Sequence, residues 1–267
     1  TWDKQPEEKD EKILVKLDWT INDDHRAAFT YQSTEGNVTR NTTSRSNELK
    51  LSSHWYDKEE KLTTLAGHLY SSWSDDFSTE VKLAYKDVDT AQAPASKHIG
   101  DVEIRTPSGD ISFGPDQYRH GNALTNETLS FRFLGEYLLD EHEIAFGLEY
   151  ESIDVMNLFA PDSLGRWEFA SIEDFAQREA SSLSYANAYT NDVADAAATF
   201  KFSSTTLFVE DSFYLTDEIY ITAGLRYEVI GSSDAPTHND NFQERYGFSN
   251  STNLDGEGIF LPRLGFE

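Results

Sequence analysis

Residues 213–229 read FYLTDEIYITAGLRYEV. After the turn residues Asp217-Glu218, Ile219, Ile221, Ala223, Leu225, Tyr227 and Val229 are all apolar, whereas Tyr220, Thr222, Arg226 and Glu228 between them are mostly polar. This period of two describes a strand with one dry face and one wet face. Asp is favoured in tight turns, so Phe213, the acidic pair and Leu225-Arg226-Tyr227 together predict a β-hairpin.

The same unit occurs three more times. Trp19 goes with Asp23-Asp24 and Phe29-Thr30-Tyr31, Trp73 with Asp75-Asp76 and Leu83-Ala84-Tyr85, and Tyr137 with Asp140-Glu141 and Leu148-Glu149-Tyr150. The tyrosine follows the first acid by 8 residues in the first copy and by 10 in the other three. Alternation also runs before the turns, in Ile13, Val15, Leu17, Trp19 and Ile21, and in Leu129, Phe131, Phe133, Tyr137 and Leu139.

A soluble sandwich and a transmembrane barrel both produce such alternation, and the rings separate them. A tyrosine 10 residues past the turn, at roughly 3.3 Å per residue and about 45° of tilt, stands on the order of 23 Å above it. Outer-membrane barrels carry an apolar band about 25 Å tall with an aromatic girdle at each edge. Trp19, Trp73, Tyr137 and Phe213 are therefore expected to form one girdle, and Tyr31, Tyr85, Tyr150 and Tyr227 the other. Amphipathic rings suit an interface. Aromatics are also favoured in any strand, but that preference does not explain a repeated spacing.

Connection lengths give an independent test. Long polar stretches, at about residues 37–59, 91–125, 157–202 and 232–257, separate hairpins whose internal turns are short. Strands that run alternately up and down put every short turn on one side and every long loop on the other, as outer-membrane barrels do. Leu49, Leu51 and Trp55, followed by Asp57-Lys58-Glu59, could be read as one more strand and turn. That would move the 91–125 connection to the short-turn side, so the segment is assigned to a loop. Hairpins are expected at about 11–36, 60–90, 126–156 and 203–231, with a last strand starting at 259. The expected fold is all-β: an antiparallel up-and-down transmembrane barrel fragment of about 8–9 strands with long extracellular loops, one of them containing a short helix.

Composition is compatible with this reading. No apolar run reaches the 18 residues that a transmembrane helix needs, while a barrel needs apolar residues only at alternate positions of short segments. Cysteine is absent, which removes disulfides and cysteine chemistry. A net charge of -26 argues against nucleic acid, whose phosphates need a basic surface. Residues 232–257 hold Asp234, Asp240, Glu244, Asp255 and Glu257 against Arg245 alone. Such loops are either a solvated, self-repelling surface or divalent-cation sites. No D-x-D-x-D-G spacing supports the second, and no metal or cofactor is expected.

Catalytic patterns are missing. The seven histidines, His25, His54, His68, His98, His120, His142 and His238, form no H-E-x-x-H or paired-ligand spacing. Neither G-x-S-x-G nor a P-loop occurs. Thr1 to Asp10 is highly charged and lacks the apolar region of a signal peptide. Phe260 to Phe266 opens an alternating strand that breaks off, an ending expected of a piece of a larger protein.

Within the loops, Val102 and Ile104, Thr106-Pro107-Ser108-Gly109, then Ile111 and Phe113 predict a small hairpin arching over the barrel mouth. Residues 171–185 are expected to be helical, with Ser171 capping Asp174 and Ile172, Phe175, Ala176 and Leu183 on one face. Candidate ligand contacts combine aromatic faces with charge: Tyr118, Arg119 and His120, and Arg166 with Trp167. Arg132, Glu149, Arg226, Glu228 and Glu136, on the wet face, are expected to pair with one another or with a neighbouring domain. Asp211 interrupts the apolar register of Leu207, Val209, Phe213 and Leu215; it marks either a protein contact or a register shift.

Several stretches are similar to a known family. Trp19-Thr20-Ile21-Asn22-Asp23-Asp24-His25-Arg26, Trp73-Ser74-Asp75-Asp76-Phe77-Ser78-Thr79-Glu80, and Leu207-Phe208-Val209-Glu210-Asp211 with Gly224-Leu225-Arg226-Tyr227 resemble the barrel of TonB-dependent outer-membrane receptors. Glu149-Tyr150-Glu151 with Asn157-Leu158-Phe159, Arg245-Tyr246-Gly247-Phe248-Ser249-Asn250 and Pro262-Arg263-Leu264-Gly265-Phe266 extend the likeness. It is closest to the Oar-like group, which carries an N-terminal carboxypeptidase-regulatory-like domain. The resemblance implies a 22-stranded barrel closed around a plug, located in the bacterial outer membrane among phospholipid and lipopolysaccharide. It also implies import of a scarce ligand with energy from the TonB complex acting on the plug. Residues 1–267 would be part of such a barrel, since neither plug, TonB box nor the remaining strands is found. The alternative is a secreted β-sandwich with carbohydrate-binding or hydrolytic activity, whose dry faces would pack on each other.

Overall fold

In a computed structural model, which describes residues 6–41, 44–232 and 234–267, the chain is built almost entirely of strands. The first five residues of the charged N-terminal stretch lie outside the described residues. In chain order the strands are β1 (Glu8–Thr20), β2 (His25–Arg40), β3 (Glu48–Lys50), β4 (Tyr56–Ser72), β5 (Phe77–Pro94), β6 (Asp101–Ile104) and β7 (Asp110–Phe113). They continue as β8 (Asn122–Leu139), β9 (His142–Phe159), β10 (Arg166–Phe169), β11 (Ser182–Ser184), β12 (Ala198–Thr216), β13 (Ile219–Gly231) and β14 (Gly258–Phe266). Two short helices, α1 (Ile172–Gln177) and α2 (Asp240–Tyr246), lie in the long connections. No helix among the described residues is long and apolar enough to cross a membrane.

Nine long strands form one antiparallel up-and-down sheet in the order β1-β2-β4-β5-β8-β9-β12-β13-β14. Its ends do not meet, so β1 and β14 are edges. Each hairpin closes through local side-chain chemistry. The Asn22 carboxamide oxygen accepts from the amides of Asp24 at 3.0 Å and His25 at 2.8 Å, and Asp140 adopts a left-handed φ of 55° in the two-residue turn between β8 and β9. Asp and Asn tolerate that region better than other side chains do.

Register fixes which residues share a face. One row crosses all nine strands on the outer face: Trp19, Ala27, Leu69, Val81, Phe133, Leu148, Leu207, Tyr227 and Phe260. Every member is apolar or aromatic. Trp19 stands 4 residues from the first turn acid, Asp23, and Tyr227 stands 10 from Asp217, so between β1 and β13 the row climbs 10 − 4 = 6 residues. Six residues are roughly 20 Å of strand, against seven inter-strand steps of about 4.8 Å each. The slope is roughly 30°, close to the 35–45° at which strands tilt when a sheet closes into a barrel.

The strands are longer than the alternation alone indicates. β4 begins at Tyr56, so Asp57-Lys58-Glu59 belongs to the wall and not to the preceding loop; Asp57 pairs with Thr39, whose hydroxyl donates to its carboxylate at 2.6 Å. Leu49 lies in β3, outside the wall as expected, but in a strand of a second sheet.

Of that second sheet the sequence predicts only the hairpin β6–β7, in which Val102 pairs with Phe113 and Ile104 with Ile111; the strands that flank it were not anticipated. The five strands of the sheet, in the order β11-β10-β6-β7-β3, come from three different loops. Val102, Ile104 and Phe169 form its core, with Ile111, Phe113 and Ala180 packed against them. The Phe175 ring of α1 meets Phe113 edge-on at 5.6 Å and Phe169 at 5.2 Å. The helix expected over 171–185 is confined to 172–177. Ser171 does cap it, accepting from the Asp174 amide at 3.0 Å, but Arg178 turns left-handed at φ 63° and ends it. Leu183 then lies on β11, paired with Trp167.

Candidate functional site

At the level of the dry outer band the inner face of the wall carries wet residues, and a central group of them is paired. The Arg226 guanidinium donates to Glu149 at 2.8 Å, to Thr206 at 3.1 Å and to Glu228 at 3.4 Å, while Arg132 reaches the other Glu149 oxygen at 3.4 Å. Arg263 bonds Glu210 at 3.1 Å, and Glu136 accepts from Ser78 at 3.3 Å instead of joining the network. These groups are partly exposed, so each pair contributes at most about 1 kcal/mol. Their joint effect is a fixed array of charge on the inner wall. On the outer face, Asp211 sits at a protein contact: its carboxylate accepts from His142 Nδ1 at 2.8 Å, beside the Phe213 ring.

Strand parity shows where the small loop sheet lies. Tyr56 and Phe159 fall on the inner-face alternation of β4 and β9. The Arg119 guanidinium lies 4.5 Å above the Tyr56 ring and donates to its hydroxyl at 3.4 Å, and the Tyr118 ring is parallel to Phe159 at 6.5 Å. The loop module thus leans inward over the wall, to the side away from the outer dry face. Tyr118 and Arg119 hold it there, positioned by Asp116, whose carboxylate accepts from the Tyr118 amide at 2.9 Å.

Arg166 and Trp167, the other expected pair, lie on β10 within the module. Arg166 bonds Glu103 and Glu168, both at 3.1 Å, on the polar face of the small sheet, whereas Trp167 stays partly exposed on the opposite face near Leu183. The five residues therefore belong to one module but not to one cluster.

His120 is buried and joins two loops. Its Nδ1 accepts from the Leu164 amide at 3.2 Å, so Nε2 carries the hydrogen and donates to the Pro115 carbonyl at 3.3 Å. Burial holds its pKa below the ordinary histidine value. Nearby, His54 lies between two carboxylates, Nδ1 at 3.6 Å from Asp101 and Nε2 at 3.5 Å from Asp116. The two acids face opposite nitrogens of the ring and do not converge on a common point. Burial and the adjacent Asp116 push the Asp101 carboxyl up to about 7.

These shifts act in opposite directions on the module. His120 contributes stability that is present above the unfolded value of about 6.5 and is lost as pH falls toward its lowered folded value. Asp101 favours the neutral form in the fold, so its contribution is present below about 4 and is lost as pH rises toward about 7. Asp101→Asn retains an acceptor for the Gln117 amide, which Asp101 now binds at 3.3 Å. It is expected to slow amide exchange in β6 and β10 at pH 7–8 relative to the parent while leaving the acid-side loss intact. Exchange at pH 7.5 no slower than in the parent would contradict the assignment.

Comparisons with known proteins agree with this architecture. A family model described as an outer membrane beta barrel domain matches residues 1–265. No curated protein sequence matches the chain. Among solved structures, the outer membrane transporter YddB from Escherichia coli aligns with a TM-score of 0.56 at 12% identity, covering 85% of this chain and 28% of that one. The FrpB iron transporter from Neisseria meningitidis aligns with a TM-score of 0.52 at 13% identity, covering 96% of this chain and 33% of that one. BauA, the ferric preacinetobactin receptor from Acinetobacter baumannii, gives 0.51 at 11%, covering 98% and 37%. These likenesses concern the fold, and the 267 residues span about a third of each of those chains.

Proposed function

We propose, for a chain that belongs to the outer membrane beta barrel domain family, that it forms part of the wall and mouth of a TonB-energised receptor of the Oar-like group. The protein is located in the bacterial outer membrane. In this reading residues 1–267 are part of a longer receptor. A plug and a TonB box on the rest of it couple the barrel to the TonB complex, and the chain serves in uptake of a ligand, not in catalysis.

The observation that carries this reading is how the outer face changes along the strands. Between the turns and the tyrosines it is mainly apolar, the Asp211–His142 pair lying near the turns; the next row above Tyr31 and Tyr85 is Ser33, Thr63, Asp87, Glu127, Asp154 and Lys201, with Lys201 and Asp154 bonded at 2.6 Å. A wall leaving hydrocarbon requires such a boundary. We place Trp19, Trp73, Tyr137 and Phe213 at the inner interface and Tyr31, Tyr85, Tyr150 and Tyr227 at the outer one, with the polar row among lipopolysaccharide headgroups. Register supports the outer set. Tyr31 and Tyr85 flank Leu65 in one row, and Tyr150 and Tyr227 each stand two residues nearer the turns than that row and the next prescribe, following the tilt.

Tyr118, Arg119 and Trp167 are assigned as ligand contacts at the mouth, with His120 and Arg166 beneath them holding the module's shape. The energisation is tested with the full-length receptor and the purified periplasmic part of TonB. Saturable binding that disappears when the segment upstream of Thr1 is deleted is the expected result. A receptor that never binds TonB would refute the coupling.

A further inference from the structure

The inner face also changes character above the tyrosines, in the opposite sense. Directly beside the outer polar row runs an inner row of Leu62, Val88, Asn126, Val155 and Phe200 across five neighbouring strands. The row below it adds Ile153 and Phe202; above it stand Leu124, Asn157 and Phe159, with Tyr118 parallel to Phe159. Lower down the same face is charged, with Arg132, Glu149, Arg226 and Glu228 in their network. The apolar and charged residues have thus exchanged faces at one level of the wall.

Above the hydrocarbon the outer row lies among headgroups in the reading given above, and no lipid requires apolar residues on the inner face. On the inner face Leu124 is 38% exposed, Phe200 45% and Phe159 54%, with Tyr118 of the loop 48% exposed beside them, while Leu62, Val88 and Val155 are half-buried. A contiguous exposed apolar surface marks a site of interaction. Five strands at about 4.8 Å spacing make the row on the order of 19 Å long, too long for one small ion or ring.

The belt's chemistry narrows the occupant. Rings and aliphatic side chains are interleaved with the carboxamides of Asn122, Asn126 and Asn157. Asn122 donates to the Tyr118 carbonyl at 3.2 Å and Asn126 accepts from Thr128 at 3.0 Å. The belt itself carries no charge; around it stand Lys86, the Lys58–Glu60 ion pair and the Arg119 guanidinium over Tyr56, separated from one another. An anionic ligand finds no cluster of cations here, and the chain's net charge of -26 opposes one at longer range. Flat apolar faces for rings and hydroxyl edges for carboxamides are what an uncharged oligosaccharide presents.

We propose that Leu62, Val88, Val155, Phe159 and Phe200, with Asn126 and Asn157, form a docking belt at the barrel mouth for an extended, uncharged oligosaccharide. This rests on the receptor reading above and supplies its substrate class. Stacking of sugar faces on Phe159 and Phe200 provides affinity, and the carboxamides select hydroxyl-bearing edges over plain hydrocarbon.

The test uses the full-length receptor in detergent micelles and three fluorescent probe sets: neutral oligosaccharides, sulfated oligosaccharides and uncharged apolar peptides. Saturable binding of a neutral oligosaccharide is expected, weakened roughly tenfold, about 1.4 kcal/mol, by Phe159→Ala, by Phe200→Ala and by Asn157→Ala. Phe200→Tyr should keep affinity within about threefold, which separates a lost ring from a lost fold. Heat-modifiable gel mobility confirms that each variant is inserted. Preference for the sulfated or peptide probes overturns the proposal, as does the absence of oligosaccharide binding or equal binding by the alanine variants. Binding that survives in a receptor unable to engage TonB leaves the belt standing and counts against energised transport alone.

Discussion

Leu207→Arg is expected to shift the folding equilibrium of the receptor in phospholipid vesicles by about 2–4 kcal/mol, a factor of roughly 30 to 900. Leu207 lies on the outer row between Leu148 and Tyr227 and is 56% exposed in the isolated sheet. Exposure of a leucine on a soluble protein would make this change nearly neutral. In a bilayer that exposed surface faces hydrocarbon, and a guanidinium there must be desolvated or must drag water and headgroups inward. The same substitution at Ser130, on the inner face opposite Glu151, is expected to stay within about 0.5 kcal/mol. Urea titration of the two variants in vesicles decides it: equal effects at both positions would mean that the dry face is not lipid-facing.

Gly114→Ala carries the second large effect, confined to the loop module. Gly114 has φ +84°, and a Cβ there would stand 2.2 Å from the Gly100 carbonyl oxygen. Both elements at this point are backbone, so neither can move aside as a flexible side chain would. A left-handed non-glycine residue costs roughly 1–2 kcal/mol, and forced overpacking roughly 1–3 kcal/mol more. The module is small, with a core of Val102, Ile104 and Phe169, so a loss of roughly 2–5 kcal/mol should open it. Limited proteolysis is expected to cut within 95–121 and 160–197 in the variant while the wall strands stay protected. Unchanged cleavage would show that the loop packs otherwise.

The wall was legible because its physics is local and periodic. Alternation at Ile219 to Val229, the acidic turns and the tyrosine spacing each follow from one strand and its immediate partner. The inner-wall pairing of Arg226 with Glu149 and Glu228 could be anticipated once parity placed them on one face. In the loop sheet only the local hairpin β6–β7 was legible; the flanking strands were not, because Glu48–Lys50 and Ser182–Ser184 are three residues long and Glu48–Lys50 and Arg166–Phe169 pair with segments from other loops. Nothing in three residues encodes a partner so far along the chain. The small helix Asp240–Tyr246 was missed although its signals were present: Asn239 caps it, accepting from the Phe242 amide at 3.1 Å, and Gly247 ends it at φ 78°. The five proposed ligand residues fall in one loop module, but the burial of His120 and the pairing of Arg166 were not legible, since both depend on tertiary packing.

Two of the ladders in the loop sheet are parallel, β10 beside β6 and β3 beside β7. Parallel neighbours need a long crossover between them, and here the crossovers are the wall hairpins themselves. The pairing of β8 with β9 brings Asp101 and Arg166 together, and that of β4 with β5 brings Glu48 to Asp110. Loop-closure entropy disfavours these contacts in a chain whose wall is unformed. The module over the mouth is therefore a late product of assembly. Its appearance is expected to date the completion of the wall beneath it, so that a nascent barrel would pass through a stage in which its mouth has no cover.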